Sequence, residues 1–354
     1  MTLPRNAGST ASTCFYLCVS EIAMMKLSAV GAALALALSG LAQAQPKVVE
    51  KPQYGGSLSI GNVYYTVSPL TFDSVDWAWK FNQDTGLAYE QLFVADMSKA
   101  KRNGGKHAFI TDGWLPPDGI KGELAESWKL LENPLRLEIQ LRKGVMFPAK
   151  AGVMEARELV ADDVVYSFDR VNKSGKKIPT YFDHITKVEA TGKHTVLMSF
   201  NTFNAEWDYR WGWGYYSAIV PKEVMETKGK DWKNVNGTGP YALSNYVQGN
   251  ALTFTKNPTY WDSETIGGQA YKLPFADTIT YRFIKDEATM LTALRTAKVD
   301  VLESIRWSAA EELKKNAPKL QWNKFLAMGG MFVAMRVDQK PFDDIRVRRA
   351  LNMA

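Results

Sequence analysis

The sequence predicts an α/β protein, because segments with strand periodicity and segments with helix periodicity alternate along the chain. Residues 135–141 and residues 279–283 alternate apolar with polar side chains, which is the pattern of a strand with one face in water. Residues 162–171 and residues 286–297 instead carry apolar side chains at helical spacing behind paired acidic residues. Strands and helices that interleave in this way are typical of α/β folds.

Two further segments predict secondary structure near the end of the sequence. Residues 331–335 form a continuous apolar run, which favours a strand buried on both faces. Residues 343–354 predict a helix, because two aspartates precede apolar residues at helical spacing with arginines between them. No stop signal follows this helical pattern. We therefore expect residues 326–354 to begin a longer domain that is truncated here.

The amino-terminal segment has the pattern of a secretory signal peptide. Lys26 precedes an uncharged apolar stretch, which ends in an Ala-x-Ala cleavage pattern at residues 42–44. This apolar stretch is too short to cross a bilayer comfortably. We predict a signal peptide at residues 24–44, an over-long gene start at residues 1–23, and export to the periplasm.

Charge and cysteine content exclude two kinds of site. The formal net charge is +6, but the basic residues are spread along the chain rather than gathered in a stripe, so we predict no nucleic-acid partner. The 2 cysteines are Cys14 and Cys18, and both precede the predicted cleavage site. The mature chain is therefore expected to contain neither a disulfide nor a thiolate metal site.

The sequence contains none of the common catalytic motifs. A nucleophile elbow, a zinc-protease helix and a phosphate-binding loop are all missing. The 3 histidines are His107, His184 and His194, and we interpret them as surface or structural residues because none has a second ligand at helical spacing. Paired aspartates at 162–163 and 343–344 stand at predicted helix starts, where capping explains them. We predict no enzyme activity, no metal and no cofactor; a secreted hydrolase is the alternative from the enzyme class.

Six aromatic residues lie between Trp207 and Tyr216, interrupted by two glycines. Flat rings contact varied side chains without demanding specific hydrogen bonds, so this run suits an aromatic-lined binding surface. Packing within a core is the competing interpretation. A lectin-like surface module is a third function class, and only this aromatic run suggests it.

Seven segments, taken in order, resemble the motifs of one known family. They are GGSLSI at 55–60, GLAYEQLF at 86–93, LAESW at 124–128 with LRKGVMF at 141–147, LVADDVVYS at 159–167, GTGPY at 237–241 with NPTYW at 257–261, residues 286–300, and residues 341–351. In these motifs the chain resembles the bacterial extracellular solute-binding proteins of family 5, the oligopeptide- and dipeptide-binding components of ABC transporters. The second segment is expected to be helical. Residues 99–117 depart from the family pattern as an insertion.

This resemblance implies a type II periplasmic-binding-protein-like fold, in which two lobes close on the ligand about a hinge. The first lobe is discontinuous in such proteins. We place it at residues 45–93 and 219–325, with a smaller inserted domain at residues 94–218. The second lobe then begins at residue 326 and is mostly missing from this sequence.

The resemblance also implies a function, which is capture of a short peptide or peptide-like ligand and its delivery to an inner-membrane ABC permease with its ATPase. We expect a monomer. An opine, an oligosaccharide, a nickel complex or haem is the alternative ligand within the binding class. The expected ligand-binding residues follow the first strand, lie in the aromatic run or flank the crossing between the lobes: Tyr64, Tyr65, Ser68, Trp211, Trp213, Phe332 and Arg336.

Overall fold

The computed structural model describes residues 51–62, 70–77, 80–100, 104–107, 117–178, 181–204, 218–302, 305–322 and 333–353. In chain order its strands are β1 (Ser57–Asn62), β2 (Phe93–Ala95), β3 (Ile120–Gly122), β4 (Ala125–Leu131), β5 (Arg136–Leu141), β6 (Met146–Phe147), β7 (Arg157–Glu158), β8 (Ile185–Gly192), β9 (Thr195–Phe200), β10 (Tyr241–Val247), β11 (Ala251–Lys256), β12 (Ser263–Ile266), β13 (Gln269–Lys272), β14 (Thr278–Phe283) and β15 (Val301–Leu302). Its α-helices are α1 (Ala161–Lys173), α2 (Lys222–Lys228), α3 (Glu287–Arg295), α4 (Trp307–Asn316) and α5 (Ile345–Met353). Short 3₁₀ turns span Met97–Lys99, Pro117–Gly119 and Trp232–Asn234, and a π-helical turn spans Phe81–Thr85.

Strands β4, β5, β9 and β8 form an antiparallel sheet in that order. Every second residue of β5 is buried, from Leu137 to Leu141, so the period-two pattern of the sequence sets the core face of this strand. Helix α1 lies against β8 and β9 and buries Val164, Phe168 and Val171 in the same cluster. Each such side chain contributes about 1.5–3 kcal/mol on burial. The first core therefore forms between this sheet and α1.

Strands β10, β11, β14, β1 and β15 form a second, mixed sheet in that order. Strand β1 is parallel to β14 on one side and to β15 on the other, whereas β10, β11 and β14 are antiparallel neighbours. Helix α3 connects β14 to β15, as parallel pairing requires a crossover. Phe254 of β11 and Ile279 of β14 pack with Phe72 and Tyr89 in a second buried cluster.

The two clusters of buried apolar residues each belong to one sheet. Leu92 and Ile219 lie in the first cluster, next to the expected boundaries of the inserted domain at residues 93 and 219. Met225 of α2 packs against both clusters. The division of the chain into a discontinuous first lobe and an inserted domain itself stays a prediction.

The elements predicted from periodicity are confirmed. The strands expected at residues 135–141 and 279–283 are β5 and β14, and the helices expected behind paired acidic residues are α1 and α3. Asp163 caps α1, because its Oδ2 accepts a hydrogen bond from the Val160 amide at 2.9 Å. The helix expected in residues 343–354 is α5, where Asp344 Oδ1 accepts from the Arg346 amide at 2.8 Å.

The helix expected at residues 86–93 is wrong. After the π-helical turn that ends at Thr85, the chain makes one turn and then runs extended into β2. The carbonyl oxygens that a helix would use internally are bonded elsewhere: the Ala88 oxygen accepts from the Gly239 amide at 3.0 Å, and the Glu90 oxygen accepts from the Ile219 amide at 3.0 Å. Bonds to distant segments therefore replace the local helix.

The strand expected at residues 331–335 is also wrong in its described part. Residues 331 and 332 lie outside the described residues, and residues 333–335 form no strand. Val333 is 78% exposed, because no strand in the described ranges pairs with this segment, and a strand needs a partner for its backbone groups. The side chains described in α5 are likewise unburied. None of the helices in the described ranges combines the length and the apolar character needed to cross a bilayer.

Candidate functional site

The parallel strands β14, β1 and β15 end at one edge of the mixed sheet. Asn62, the last residue of β1, is in register with Phe283 of β14, and Gly61 is in register with Leu302 of β15. We call this end of the three strands the carboxyl edge. In open α/β sheets, ligands bind outside the carboxyl ends of the parallel strands, where loops from neighbouring strands meet. The topology therefore makes the carboxyl edge the candidate ligand site.

Two loops at the carboxyl edge are joined by an ion pair. Glu287 opens α3 in the loop after β14, and Arg306 precedes α4 in the loop after β15. The Arg306 Nε donates to Glu287 Oε1 at 2.8 Å. Because Arg306 is largely exposed, the pair contributes at most about 1 kcal/mol to stability. It links the two loops at the carboxyl edge without adding much stability.

Residues 70–77, which we call the anchored segment, lead away from the predicted ligand residues that follow β1. Asp73 is nearly buried and accepts a hydrogen bond from Arg170 Nη2 of α1 at 2.5 Å. Asp76 accepts from Lys176 Nζ at 3.1 Å, and its pKa is lowered by hydrogen bonds from Thr71 and Lys176 although partial burial opposes this. Two cations from α1 and the turn after it therefore hold the anchored segment in place.

A buried ion pair lies beneath the same segment. Lys80 Nζ is 2.7 Å from Asp84 Oδ2 and 4.4 Å from the centre of the Phe72 ring, which places the ammonium group over an aromatic face. Burial lowers the pKa of Lys80 and raises the pKa of Asp84 to about 6, since both groups lose water in their charged forms. The Phe72 ring is thus held by a cation that has itself been withdrawn from solvent.

A cavity of about 350 Å³ opens beside the anchored segment, and we call it the rim pocket. Its lining consists of Leu70, Phe72, Lys230, Asp231 and Trp232. The amide of Phe72 donates to the Lys230 oxygen at 2.9 Å, which joins the two segments that line it. The pocket combines three apolar walls with one basic and one acidic side chain at its mouth.

Tyr246 of β10 stands behind two walls of the rim pocket. Its ring is 5.0 Å from the Phe72 ring and 6.3 Å from the Trp232 ring, with edge-to-face geometry in both cases. Such aromatic pairs contribute about 0.5–1.5 kcal/mol beyond area burial. The sequence analysis missed this pocket, because its two segments are far apart in the chain and share no motif.

A cluster of buried polar groups connects the family motifs, and we call it the carboxylate joint. Glu90 is 1% exposed, and its carboxylate accepts hydrogen bonds from the Tyr260 hydroxyl at 3.0 Å and from Trp261 Nε1 at 3.0 Å. Glu123 Oε2 accepts from the Gln91 amide at 2.7 Å. The joint links the segment before β2, the segment before β4 and the NPTYW motif.

The two carboxyl groups of the joint have altered acidity. Burial raises the pKa of Glu90 to about 7, and burial together with the charge of Glu90 raises the pKa of Glu123 well above its ordinary value. Two interacting carboxyl groups in one dry site resist simultaneous ionisation. A proton on the joint therefore stabilises it, and this stabilisation weakens as the pH rises toward 7.

The GTGPY motif has a packing role in the joint. A Cβ added to Gly237 would lie 2.2 Å from the Ala88 oxygen, and one added to Gly239 would lie 2.7 Å from the Ala88 carbonyl carbon. Asn257 of the second motif donates from Nδ2 to the Gly239 oxygen at 3.0 Å. The glycines are needed because the backbone of residues 87–89 passes too close for any side chain.

The predicted ligand residues are mostly beyond the part of the chain that the structure describes. Tyr64, Tyr65, Ser68, Trp211, Trp213 and Phe332 lie outside the described residues. Arg336 is described and exposed, and its guanidinium forms a bidentate contact with Asp338, at 2.8 Å from Nε and 2.6 Å from Nη2. The role of all seven residues in ligand binding stays a prediction.

The three histidines make local contacts. His107 pairs with Asp118, and His194 Nε2 is 3.0 Å from Glu158 Oε1. His184 is buried and stacks on the Phe200 ring. Across the described ranges, no three His, Cys, Asp or Glu side chains come together as a metal ion would require.

Comparison with known proteins gives a family match over most of the chain. Residues 119–354 match the family model of bacterial extracellular solute-binding proteins, family 5 Middle. The oligopeptide-binding protein AppA of Bacillus subtilis is 25% identical over 324 residues, which cover 87% of this chain and 51% of AppA. Di/tripeptide-binding protein 1 of Pseudomonas aeruginosa is 27% identical over 250 residues, which cover 65% of this chain and 45% of that protein. The chain spans about half the length of the curated relatives it matches.

Solved structures share the fold. A dipeptide-binding protein from Pseudoalteromonas sp. SM9913, in complex with Met-Leu, aligns with a TM-score of 0.63 at 20% identity and covers 84% of this chain and 56% of its own. MoaA from A. tumefaciens R10, in complex with mannopinic acid, aligns with a TM-score of 0.61 at 22% identity. The alignment covers 84% of this chain and 55% of the MoaA chain. These likenesses confirm the predicted fold class, a two-lobed α/β periplasmic-binding-protein fold. With a family model matched over about two thirds of its sequence, the chain belongs to the bacterial extracellular solute-binding proteins of family 5.

Proposed function

We propose that the protein is the exported ligand-binding component of a bacterial ABC importer and that its ligand is a short peptide. Family membership supports the binding role, and the oligopeptide and di/tripeptide binders among its relatives support the ligand class. The observation that carries the proposal is the carboxyl edge, where three parallel strands end side by side and two loops are joined by the Glu287–Arg306 pair.

The proposed mechanism is capture followed by delivery. A peptide lies along the carboxyl edge, held through its main chain, while its side chains meet walls that tolerate varied sequences. Closure of the lobes excludes water from these hydrogen bonds and strengthens them. The closed form then docks on an inner-membrane permease, whose ATPase drives uptake. This role requires binding groups rather than a nucleophile, so we expect no turnover of the ligand.

Export and oligomeric state complete the proposal. The pattern at residues 24–44 supports cleavage by a signal peptidase and release into the periplasm. A binding protein that presents both lobes to one permease works as a single copy, and we expect a monomer. Amino-terminal sequencing of the periplasmic fraction should find Gln45 as the first residue, and light scattering should give the mass of one chain.

The proposal is tested by calorimetric titration of the full-length protein with peptides of two to five residues. We expect saturable binding of several unrelated peptides, and mass spectrometry of the same samples should recover every peptide intact. Cleaved peptides would contradict the binding role, and the absence of binding to any peptide would contradict the ligand class.

A second candidate ligand is an opine. The mannopinic acid bound to MoaA, which has the same fold, favours this alternative. Mannopinic acid joins an amino acid to a sugar-derived chain, so it presents an amine and carboxylates as a peptide does, without a peptide bond. Mannopinic acid therefore belongs in the same titration, and tight binding of it without any peptide affinity would select this candidate.

A further inference from the structure

The rim pocket has features of a site for one apolar residue. Leu70 at its mouth is 86% exposed, and Trp232 offers a half-buried ring. A volume of about 350 Å³ is at the lower end of the range for small-ligand sites, about 300–1,000 Å³. A single large side chain fits this size, whereas a folded partner would need a wider surface.

Two walls of the rim pocket, Phe72 and Trp232, are fixed before any ligand arrives. The anchored segment is held by Arg170 on Asp73 and by Lys176 on Asp76, and Phe72 packs against Tyr246. On the other side, Asp231 caps the 3₁₀ turn at Trp232–Asn234 by accepting from the Lys233 amide at 3.0 Å. Walls held in this way do not lose further conformational freedom on binding, which favours affinity.

The charges at the mouth differ in their availability. One carboxylate oxygen of Asp231 is used in the cap of the 3₁₀ turn. Lys230 is exposed and contributes its carbonyl, not its ammonium group, to the contact with Phe72. The charge of Lys230 also acts on the Asp76 carboxyl and helps to lower its pKa, but its exposed ammonium group can still meet a second carboxylate. An apolar residue that also carries a carboxylate therefore matches the pocket, since its side chain meets the walls and its charge meets Lys230.

Tyr246, which packs behind two walls of the pocket, gives a measure of the distance between the pocket and β1. Four residues lie side by side across the sheet. In order from β10 through β11 and β14 to β1 they are Tyr246, Leu252, Tyr281 and Ile60. Strands β10 and β1 are separated by three inter-strand steps, which amount to roughly 14 Å at about 4.8 Å per step. An extended peptide covers this distance in roughly four residues at about 3.3 Å each.

We propose that the rim pocket binds the carboxyl-terminal apolar residue of a peptide about five residues long, whose other end lies at the carboxyl edge beyond β1. This inference rests on the proposed peptide ligand and adds a length and an end preference to it. Dipeptides and tripeptides are too short to contact both places at once. Peptides that end in leucine or phenylalanine are bound more tightly than peptides that end in serine.

The test is calorimetric titration of the full-length protein with five synthetic peptides. They are a serine pentapeptide, the same peptide ending in leucine, the same peptide beginning with leucine, the leucine-ended peptide with an amidated carboxyl end, and the dipeptide Ser-Leu. We expect the Kd of the leucine-ended pentapeptide to be at least about tenfold lower than that of the serine pentapeptide and of the peptide beginning with leucine, because burial of one leucine side chain accounts for that factor. The amidated peptide should also bind more weakly, because it lacks the charge that meets Lys230, and so should Ser-Leu, because it is too short to reach the carboxyl edge.

Two variants assign the effect to the pocket. Leu70→Ser should raise the Kd of the leucine-ended peptide about tenfold and leave that of the serine pentapeptide unchanged. Lys230→Gln should abolish the difference between the free and the amidated peptide. The matched control is Leu130→Ser, which alters a partly exposed leucine on β4 in the other sheet and should change neither Kd.

The outcomes separate this inference from the proposed function. If peptides bind but their length and last residue have no influence on Kd, the pocket assignment is wrong and the peptide function stands. If the preference exists but survives Leu70→Ser and Lys230→Gln, another site causes it and the pocket assignment is again wrong. If no peptide binds at all, the proposed function and this inference both fail.

Discussion

The carboxylate joint and the rim pocket contain the same kinds of group, namely aromatic rings, charged side chains and backbone turns, but they differ in what satisfies those groups. In the joint, Glu90 is 1% exposed and its oxygens accept from Tyr260 and Trp261 of the same chain. At the pocket, Leu70 is 86% exposed and Lys230 faces solvent. A polar group bonded within the protein supports the fold, whereas one directed at solvent is available to a ligand.

This difference separates two kinds of expected effect. Changes in the joint and in the supports of the anchored segment should alter the free energy of unfolding. Changes at the mouth of the rim pocket should alter ligand affinity and leave that free energy unchanged. The four predictions below are ordered by the expected change in stability, from the largest to none.

Removal of the cation behind the anchored segment should have the largest effect. Arg170→Met leaves the nearly buried Asp73 carboxylate without its partner at 2.5 Å, which costs about 3–5 kcal/mol of unfolding free energy. Urea unfolding followed by circular dichroism measures the loss. The matched control is Lys173→Met on the same helix, whose partner Asp169 is exposed, and it should change stability by less than about 0.5 kcal/mol. Equal effects of the two variants would contradict the assigned role of Arg170.

Adding one methyl group to the joint should cause the next largest loss of unfolding free energy. Gly237→Ala forces a Cβ against the Ala88 oxygen, 2.2 Å away, and the backbone must move to relieve the clash. We expect a loss of about 2–3 kcal/mol in the same urea experiment. Gly175→Ala is the control, because its Cβ would meet nothing within 4 Å and should not destabilise the protein.

The joint should also make stability depend on pH. Burial raises the pKa of Glu90 from 4.5 to about 7, so the folded state binds the proton more tightly than the unfolded state does. Its contribution to the free energy of unfolding is therefore fully present below pH 4.5 and is lost as the pH rises to about 7, with a total change of up to about 3 kcal/mol.

Glu90→Gln tests this pH dependence, since glutamine resembles the protonated acid. Unfolding free energies measured between pH 4.5 and pH 8 should fall less steeply in this variant than in the wild type. Glu126→Gln is the matched control on exposed β4 and should reproduce the wild-type slope. A wild-type slope in the Glu90 variant would mean that other groups cause the pH dependence.

The smallest change in stability is expected at the pocket mouth. Leu70→Ser removes an apolar side chain that is already in water, so the unfolding free energy should stay within about 0.5 kcal/mol of the wild type. The same variant should weaken binding of the leucine-ended pentapeptide about tenfold. A loss of stability larger than about 1 kcal/mol would mean that Leu70 supports the fold and is not simply a ligand contact.

Local periodicity was sufficient to predict several elements of the fold. Strand β5 and helix α1 follow from side chains two and about four residues apart, which meet one core face whatever the rest of the chain does. The expected helix at residues 86–93 is wrong because the carbonyl oxygens there bond to Gly239 and Ile219. Hydrogen bonds to distant segments outweighed the local helical preference, and nothing in the sequence of residues 86–93 predicts those bonds.

The candidate site was less predictable than the fold. The GTGPY and NPTYW motifs identified the family, but their described contacts serve the packing of the joint rather than a ligand. Leu70 and Trp232 line one pocket where the Phe72 amide bonds to the Lys230 oxygen, a contact between segments more than 150 positions apart in the sequence. A pocket formed in this way has no signature in a single sequence.

The central claim is that a peptide spans from the carboxyl edge to the rim pocket, and a crystal structure of the full-length protein with the leucine-ended serine pentapeptide tests it most directly. The account predicts the peptide main chain outside the ends of β1 and β15, with the terminal leucine against Trp232 and its carboxylate beside Lys230. A peptide bound with its leucine directed away from Trp232, or bound outside the carboxyl edge, would contradict the account.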